Sequence, residues 1–319
     1  MKGPSVRLQH VRAVGITAPG GPEVLSVVER PVREPGPGEV CIAVRSAAVN
    51  PADIALRQTG GGDVPSPWTP GMDAAGTIET VGEGVDRLRV GDEVMAAVNP
   101  RRPEGGAQAE LIVVPAASVV PIPDGVTLQQ ASTLPMNGLT AELGLEVLAL
   151  KAGQTLAVTG GAGLLASYVI PLSKERGLRV VADAKPNDEE LVRGFGADVV
   201  VLRGERFASA VREAVPEGVD GLFDTALLNE EAFGAIRDGG SMVVVRGWQP
   251  DETERGIKVD PIRVGTVLER TDWLEELRRL ASERRLQLRV AGEYPPEQAG
   301  EAQRIMDAGG LRGRVVIVF

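Results

Sequence analysis

The sequence predicts an α/β chain in two parts, a compact β-barrel-type unit and a doubly wound parallel sheet with helices on both faces. Three observations predict it. From Val11 to about Val120, short β-rich runs are split by Gly and Pro, the pattern of small all-β architectures. After Asp124 the rhythm lengthens into buried strands alternating with amphipathic helices, and repeated βα units argue for a parallel sheet. The 319 residues, 43% of them hydrophobic, suffice for sizeable cores in about two domains.

In the first part the strand-like runs are VRAVGIT, EVCIAVRSAAVN, GTIETVG, DEVMAAV and AELIVVPA, with turn chemistry at PGPGEV and PIPDGV. In the second, TLAVTG (155–160) reads as a strand, SYVIPLSKERG (167–177) as a helix and LRVVADA (178–184) as a strand. NDEELVRGFGA (187–197) reads as a helix capped by Asn187, followed by the strand DVVVL (198–202). FASAVREAV, GVDGLFDTA, EEAFGAIRDGG and SMVVVRG continue the alternation, and RVGTVL (263–268) is expected to leave an edge strand. Past Val267 come the helix TDWLEELRRLASERR, the run QLRVAGEY, the helix PEQAGEAQRIMDAGG and the strand GRVVIVF.

Charge and rare residues narrow the function classes. A net charge of -10, from 34 Lys plus Arg against 44 Asp plus Glu, disfavours nucleic acid or an anionic membrane as partner. Cys41 is the single cysteine and His10 the single histidine. No disulfide can form within the chain, which fits a reducing cytoplasm. The start lacks an apolar core of signal-peptide length, and no apolar run approaches the ~18 residues of a membrane span. A soluble, cytoplasmic protein with a small-molecule substrate is expected.

TGGAGLLASYVIPLSK (159–174) carries the strongest chemical signal. A dinucleotide-binding turn needs glycine where the chain bends, where backbone approaches the pyrophosphate and where helix packs on strand. Gly161, Gly163 and Ala166 satisfy G-x-G-x-x-G/A between a strand and a helix. The backbone of Gly160, Gly161, Gly163, Leu164 and Leu165 is therefore expected around the phosphates. The next strand ends Asp183, Ala184, Lys185. An acidic group there accepts from ribose hydroxyls, whereas a cation pairs with a 2′-phosphate. Strand alternation puts Asp183 and Lys185 on one side, and Lys185 with Arg203 favours NADP(H) over NAD(H). Each cation taken singly reads equally well as a solvated loop charge.

The chain resembles the medium-chain dehydrogenase/reductases, and among them the zinc-independent quinone oxidoreductase branch. The likeness rests on GPEVL (21–25), PGPGEV (35–40), AAVNPAD (47–53), PGMDAAGTIETVGEGV (70–85), VGDEV (90–94), LPMNGLTA (134–141), the glycine loop, GVDGLFDT (218–225), DGGSMVVV (238–245) and GGLRGRVVIVF (309–319). It implies a GroES-like catalytic domain from 1–126 and 269–319, and a Rossmann cofactor domain at 127–268. It also implies a homodimer through the edge strand 263–268 and hydride transfer to a quinone or an enone or enoyl acceptor. Zinc-dependent members use cysteine and histidine ligands where this chain reads VNPAD and PGMDAAG, so no metal is expected. Asn50 and Asp53 are the candidates for positioning the substrate, with a turn-forming role the stronger reading for Asp53. Thr140, Thr225, Ala226, Val245, Arg246, Gly247 and Arg314 resemble cofactor-contacting positions.

Two departures from the family pattern matter. Relatives carry a tyrosine after NPAD, in a stretch like R-x-G-x-Y, where this chain reads RQTGGGDVPSPW. Only Tyr168 and Tyr294 exist, so the proton for the α-carbon is expected from water, with Trp68 as an aromatic wall. Leu164 stands where relatives have glycine, and Pro171 interrupts the following helix. These features motivate an alternative: a cyclase, lyase or binding protein with a degenerate cofactor site.

Overall fold

The structure, a computed structural model, describes residues 9–319. The first eight residues, counted above with the catalytic domain, lie outside the described residues. Two compact units form. One comprises the chain up to Met136 with Leu268–Arg284 and Leu288–Phe319, and the other Asn137–Val267 with Arg285–Gln287.

In the first unit the strand Glu39–Ala48 is the hub. Its run of Val40, Cys41, Ile42, Val44 and Ala47 is buried, and it pairs antiparallel with Asp73–Val81, Leu111–Pro115 and Arg314–Val318. The sheet extends through Glu93–Ala97 to Val119–Pro121 on one side and to Val290–Tyr294 on the other. A strand not foreseen, Leu25–Val32, pairs antiparallel with Gln9–Ile16. Its Glu29, Arg30 and Pro31 conceal it, because the alternation is polar and proline marks an edge. Pro51 opens the helix Pro51–Thr59 directly after Glu39–Ala48, where its missing N–H is harmless.

The second unit is a six-stranded parallel sheet. Its order is Val199–Leu202, Arg179–Ala184, Thr155–Val158, Val219–Asp224, Ile236–Val244 and Lys258–Pro261. The order reverses between Thr155–Val158 and Val219–Asp224, and ligands of such sheets sit outside the carboxyl ends at that switch point. All four residues of Thr155–Val158 are buried, as expected for a central parallel strand covered on both faces.

Several local expectations change. The segment 263–268 is not a strand: the edge strand is Lys258–Pro261, and Val264–Thr266 is a 3-10 turn. There the Thr266 hydroxyl donates to the Arg263 carbonyl and the Val267 N–H to the Val264 carbonyl, so local bonds consume the groups an edge strand would offer. EEAFGAIRDGG is not a helix either. Asn229–Ala235 is 3-10, and Ile236–Val244 begins early as a strand, consistent with the helix penalty of Gly234, Gly239 and Gly240. Asn187 is not a cap, because Pro186–Asp188 forms its own 3-10 turn before the helix Glu189–Gly194. Pro171 does not interrupt the helix Leu164–Glu175. It removes one bond from the ladder, while buried Tyr168, Val169, Ile170 and Leu172 hold both halves of the helix on the core.

Candidate functional site

The glycine turn lies at the switch point. Gly160 has φ +68°, and a Cβ there would sit 2.9 Å from the Thr225 hydroxyl. At Gly161 a Cβ would sit 2.5 Å from the Asp183 carbonyl oxygen. Both positions therefore demand glycine. Gly163 caps the helix Leu164–Glu175 without a side-chain bond to its first N–H groups. Those groups have no partner inside the helix and carry its positive end, which suits a phosphate. Leu164 is 1% exposed: its side chain points into the core, so only its N–H can serve a ligand. Leu165 is half-buried.

Asp183 holds the turn from the neighbouring strand. Its Oδ1 accepts from the Gly161 N–H at 3.1 Å, its backbone carbonyl accepts from the same N–H at 3.2 Å, and Arg203 Nε lies 3.9 Å from Oδ2. Burial pushes the carboxyl above its usual range, opposed by the Gly161 N–H and by Arg203. The expected alternation fails here. The strand ends at Ala184, so Asp183 turns inward while Lys185 is exposed beyond it. Arg203 keeps 44% of its side chain exposed.

A polar knot that sequence reasoning missed fixes the other side of the turn. Thr159 donates its hydroxyl to Asp224 Oδ1 at 2.6 Å and accepts from the N–H groups of Thr225 at 2.9 Å and Ala226 at 3.0 Å. Thr225 returns its hydroxyl to the Thr159 carbonyl at 2.5 Å, and Asp224 Oδ2 accepts from the Asn229 N–H. Leu227 and Asn229 follow with φ +61° and +54°, uncommon for side chains of that size and a mark of a loop held in one shape. Thr225 and Ala226 thus join the glycine turn. Val245, Arg246 and Gly247 form the turn that follows the strand Ile236–Val244, with Arg246 at φ +64° and exposed. Thr140 is 8% exposed on the helix Pro135–Leu148.

In the first unit, Asn50, Asp53 and Arg314 come together with Asp73, which the sequence reading left out. Asn50 donates Nδ2 to Asp73 Oδ2 at 2.6 Å and accepts from Arg314 Nε at 2.9 Å. Asp53 accepts from the N–H groups of Asn50 and Gly71, both at 2.7 Å, and Asp73 Oδ1 accepts from the Met136 N–H. Asn50, Asp53 and Asp73 are all 0% exposed. Burial pushes Asp53 up to about 6 and Asp73 up to about 7, opposed by their N–H donors and by Arg314. These contacts give Asp53 the work of a cap and clamp. Arg314, expected at the cofactor, is buried against Asn50.

The remaining candidates find structural roles. Trp68 pairs its backbone with Ile16, donates Nε1 to the Val64 carbonyl at 2.6 Å and covers Gly60 and Gly61. Tyr168 is fully buried, and Tyr294 packs in an apolar cluster with Val14 and Ile317. Cys41 is buried, its thiol pushed up to about 11, and His10 is exposed. Among the described residues no group of three or more His, Cys, Asp or Glu is placed to hold a metal ion. Among them, too, no helix is long and apolar enough to cross a membrane.

A parallel sheet of this order, with a glycine turn and an uncapped helix N-terminus at its switch point, defines a chain of the dinucleotide-binding class. Residues 36–124 match the alcohol dehydrogenase GroES-like domain family, and residues 195–317 the zinc-binding dehydrogenase family. The NADPH-dependent alkenal/one oxidoreductase of Arabidopsis thaliana chloroplasts is 34% identical over 72% of this chain and 60% of its own length. A trans-enoyl reductase of Aspergillus terreus is 30% identical over 60% of this chain and 68% of its own. A mycobacterial protein solved with NADPH superposes at TM-score 0.84 and 28% identity, covering 97% of this chain and 100% of that one. The chain belongs to the medium-chain dehydrogenase/reductase superfamily. It spans 55–60% of the length of the first curated relatives it matches.

Proposed function

We propose that the protein is an NADPH-dependent, zinc-independent reductase that delivers hydride to an α,β-unsaturated carbonyl or a quinone. The observation that carries the reading is the turn itself: two positions that admit only glycine, next to a helix N-terminus with open N–H groups. The names of the relatives and the NADPH-bound neighbour support the same cofactor and acceptor class.

The residues present fit NADPH. The backbone of Gly160 to Leu165 would take the pyrophosphate, and the exposed Lys185 and Arg203 would take the 2′-phosphate. Asp183 gives Oδ1 to the Gly161 N–H and has Arg203 3.9 Å from Oδ2, so a cation stands beside the carboxylate where a 2′-phosphate would lie. The cofactor, when bound, supplies the hydride. The chain binds and orients: the Thr159–Asp224 knot holds Thr225 and Ala226 rigid against the turn, and Val245, Arg246 and Gly247 form the turn after the neighbouring strand Ile236–Val244. Tyr168 is sealed in the core, so the proton for the α-carbon comes from water. Residues Asn50, Asp53 and Arg314 act by holding the helix Pro51–Thr59 rather than by touching the reacting atoms. A cytoplasmic, small-molecule enzyme that works as a homodimer completes the proposal.

The non-redox alternative loses two of its motives, because Leu164 points away from the turn and Pro171 leaves the helix continuous. A panel of enones, enoyl thioesters and quinones should oxidise NADPH stoichiometrically. Turnover of such a substrate without loss of nicotinamide absorbance would overturn the reading.

A further inference from the structure

Arg57, at the start of the stretch that departs from the family pattern, has no place in either group above. It lies on the helix Pro51–Thr59, is 2% exposed, and its Nε and Nη1 are sealed with no hydrogen-bond partner. Two half-buried arginines of the same unit lack a partner at Nε as well, but they aim their terminal N–H groups at carbonyls: Arg30 at Glu104 and Leu111, and Arg102 at Val113. Asp53, one turn back, has both oxygens taken by backbone N–H groups. The negative end of the helix favours a cation in its last turn but does not satisfy that cation's donors.

A buried charge without a partner is strongly destabilising, and the usual remedy is an ion pair with further hydrogen bonds. Among the described residues no acidic side chain pairs with it, which points to a pairing group from outside the chain. Water would satisfy N–H groups and leave the charge uncompensated, whereas a monoanion does both. One guanidinium balances one negative charge, and the enclosure favours a small ion. A neighbouring helix carries a neutral amide that such an ion would satisfy. Gln303, fully buried with both polar atoms unpartnered, sits on the helix Ala299–Ala308, which packs against Pro51–Thr59.

We propose that Arg57 is the receptor of a small monoanion held inside the first unit, a carboxylate being the form in which an organic ligand would present it. The proposal does not depend on the redox reading.

Thermal unfolding of the full chain at constant ionic strength tests it, with a bulky sulfonate as background anion and formate, acetate or chloride as probe. The wild-type midpoint should rise with probe concentration, and the apparent affinity should weaken about tenfold or more in Arg57→Met. In sulfonate alone Arg57→Met should be at least as stable as the wild type, since it removes an uncompensated charge. Arg57→Lys should keep a weakened response, and isothermal titration of the wild type with formate gives the same answer should Arg57→Met fail to fold. A response to formate and acetate alone identifies a carboxylate site, and an equal response to chloride a general monoanion site. Identical responses of wild type and Arg57→Met, no heat with formate, or a less stable Arg57→Met in sulfonate would overturn the proposal.

Discussion

At the scale of single residues, burial decides what a side chain can do, and burial is where sequence reading fell short. Asn50 and Asp53 stood out as a segment, but nothing in NPAD says that both are fully enclosed. Asp73 sat in PGMDAAG without a signal of its own, and Thr159 looked like any strand-end threonine. The buried aspartates make a pH prediction. Both are raised above their unfolded value, so they favour the folded state when protonated. Their contribution is fully present below about pH 4 and is lost as pH rises through about 6 for Asp53 and about 7 for Asp73. Glu39 behaves oppositely. Arg33 holds it down to about 2, so its contribution is lost only as pH falls below the usual carboxylate range. Between pH 5 and 8, Asp73→Asn should flatten the fall in stability by on the order of 1–3 kcal/mol in denaturant titrations. Parallel curves for the two proteins would refute this account of the cluster.

At the scale of elements, periodicity and turn chemistry located the glycine turn and both flanking strands, because a buried parallel strand and a G-x-G-x-x-A turn have strong local signatures. The direction of Leu164 was not legible. A helix's first residue can face ligand or core, and only the packing of the sheet settles it. Leu164→Ala should therefore lose about 2–5 kcal/mol of stability, and Leu164→Gly should not tighten NADPH binding; an unchanged unfolding midpoint would mean that the leucine is not core. Gly161→Ala should weaken NADPH binding by about tenfold or more, because the added methyl group meets the Asp183 carbonyl and shifts the cradle. Wild-type affinity in that variant, measured by fluorescence quenching, would contradict the fit. The errors at Asn187, EEAFGAIRDGG and RVGTVL have one cause: short-range bonds and glycines set 3-10 turns that a 3.6-residue period cannot register.

For the whole molecule, the change from short β-runs to βα units was legible, since hydrophobic period changes with architecture. The edge of the parallel sheet was placed a few residues late. Lys258–Pro261 is one of the two edge strands, Val199–Leu202 being the other, and pairing of two Lys258–Pro261 edges across a two-fold axis would close a homodimer. Light scattering behind size exclusion should give twice the 33.5 kDa of one chain, and a monomer at micromolar concentration would end that proposal. The cofactor reading joins all three scales, because it needs the open helix N-terminus, the engagement of Asp183 with Gly161, and the exposed cations Lys185 and Arg203. Its most direct test is calorimetric titration of the wild-type protein with NADPH and with NADH. NADPH should bind at one site per chain and about tenfold or more tighter than NADH; equal affinity, tighter NADH, or no binding of either would contradict it.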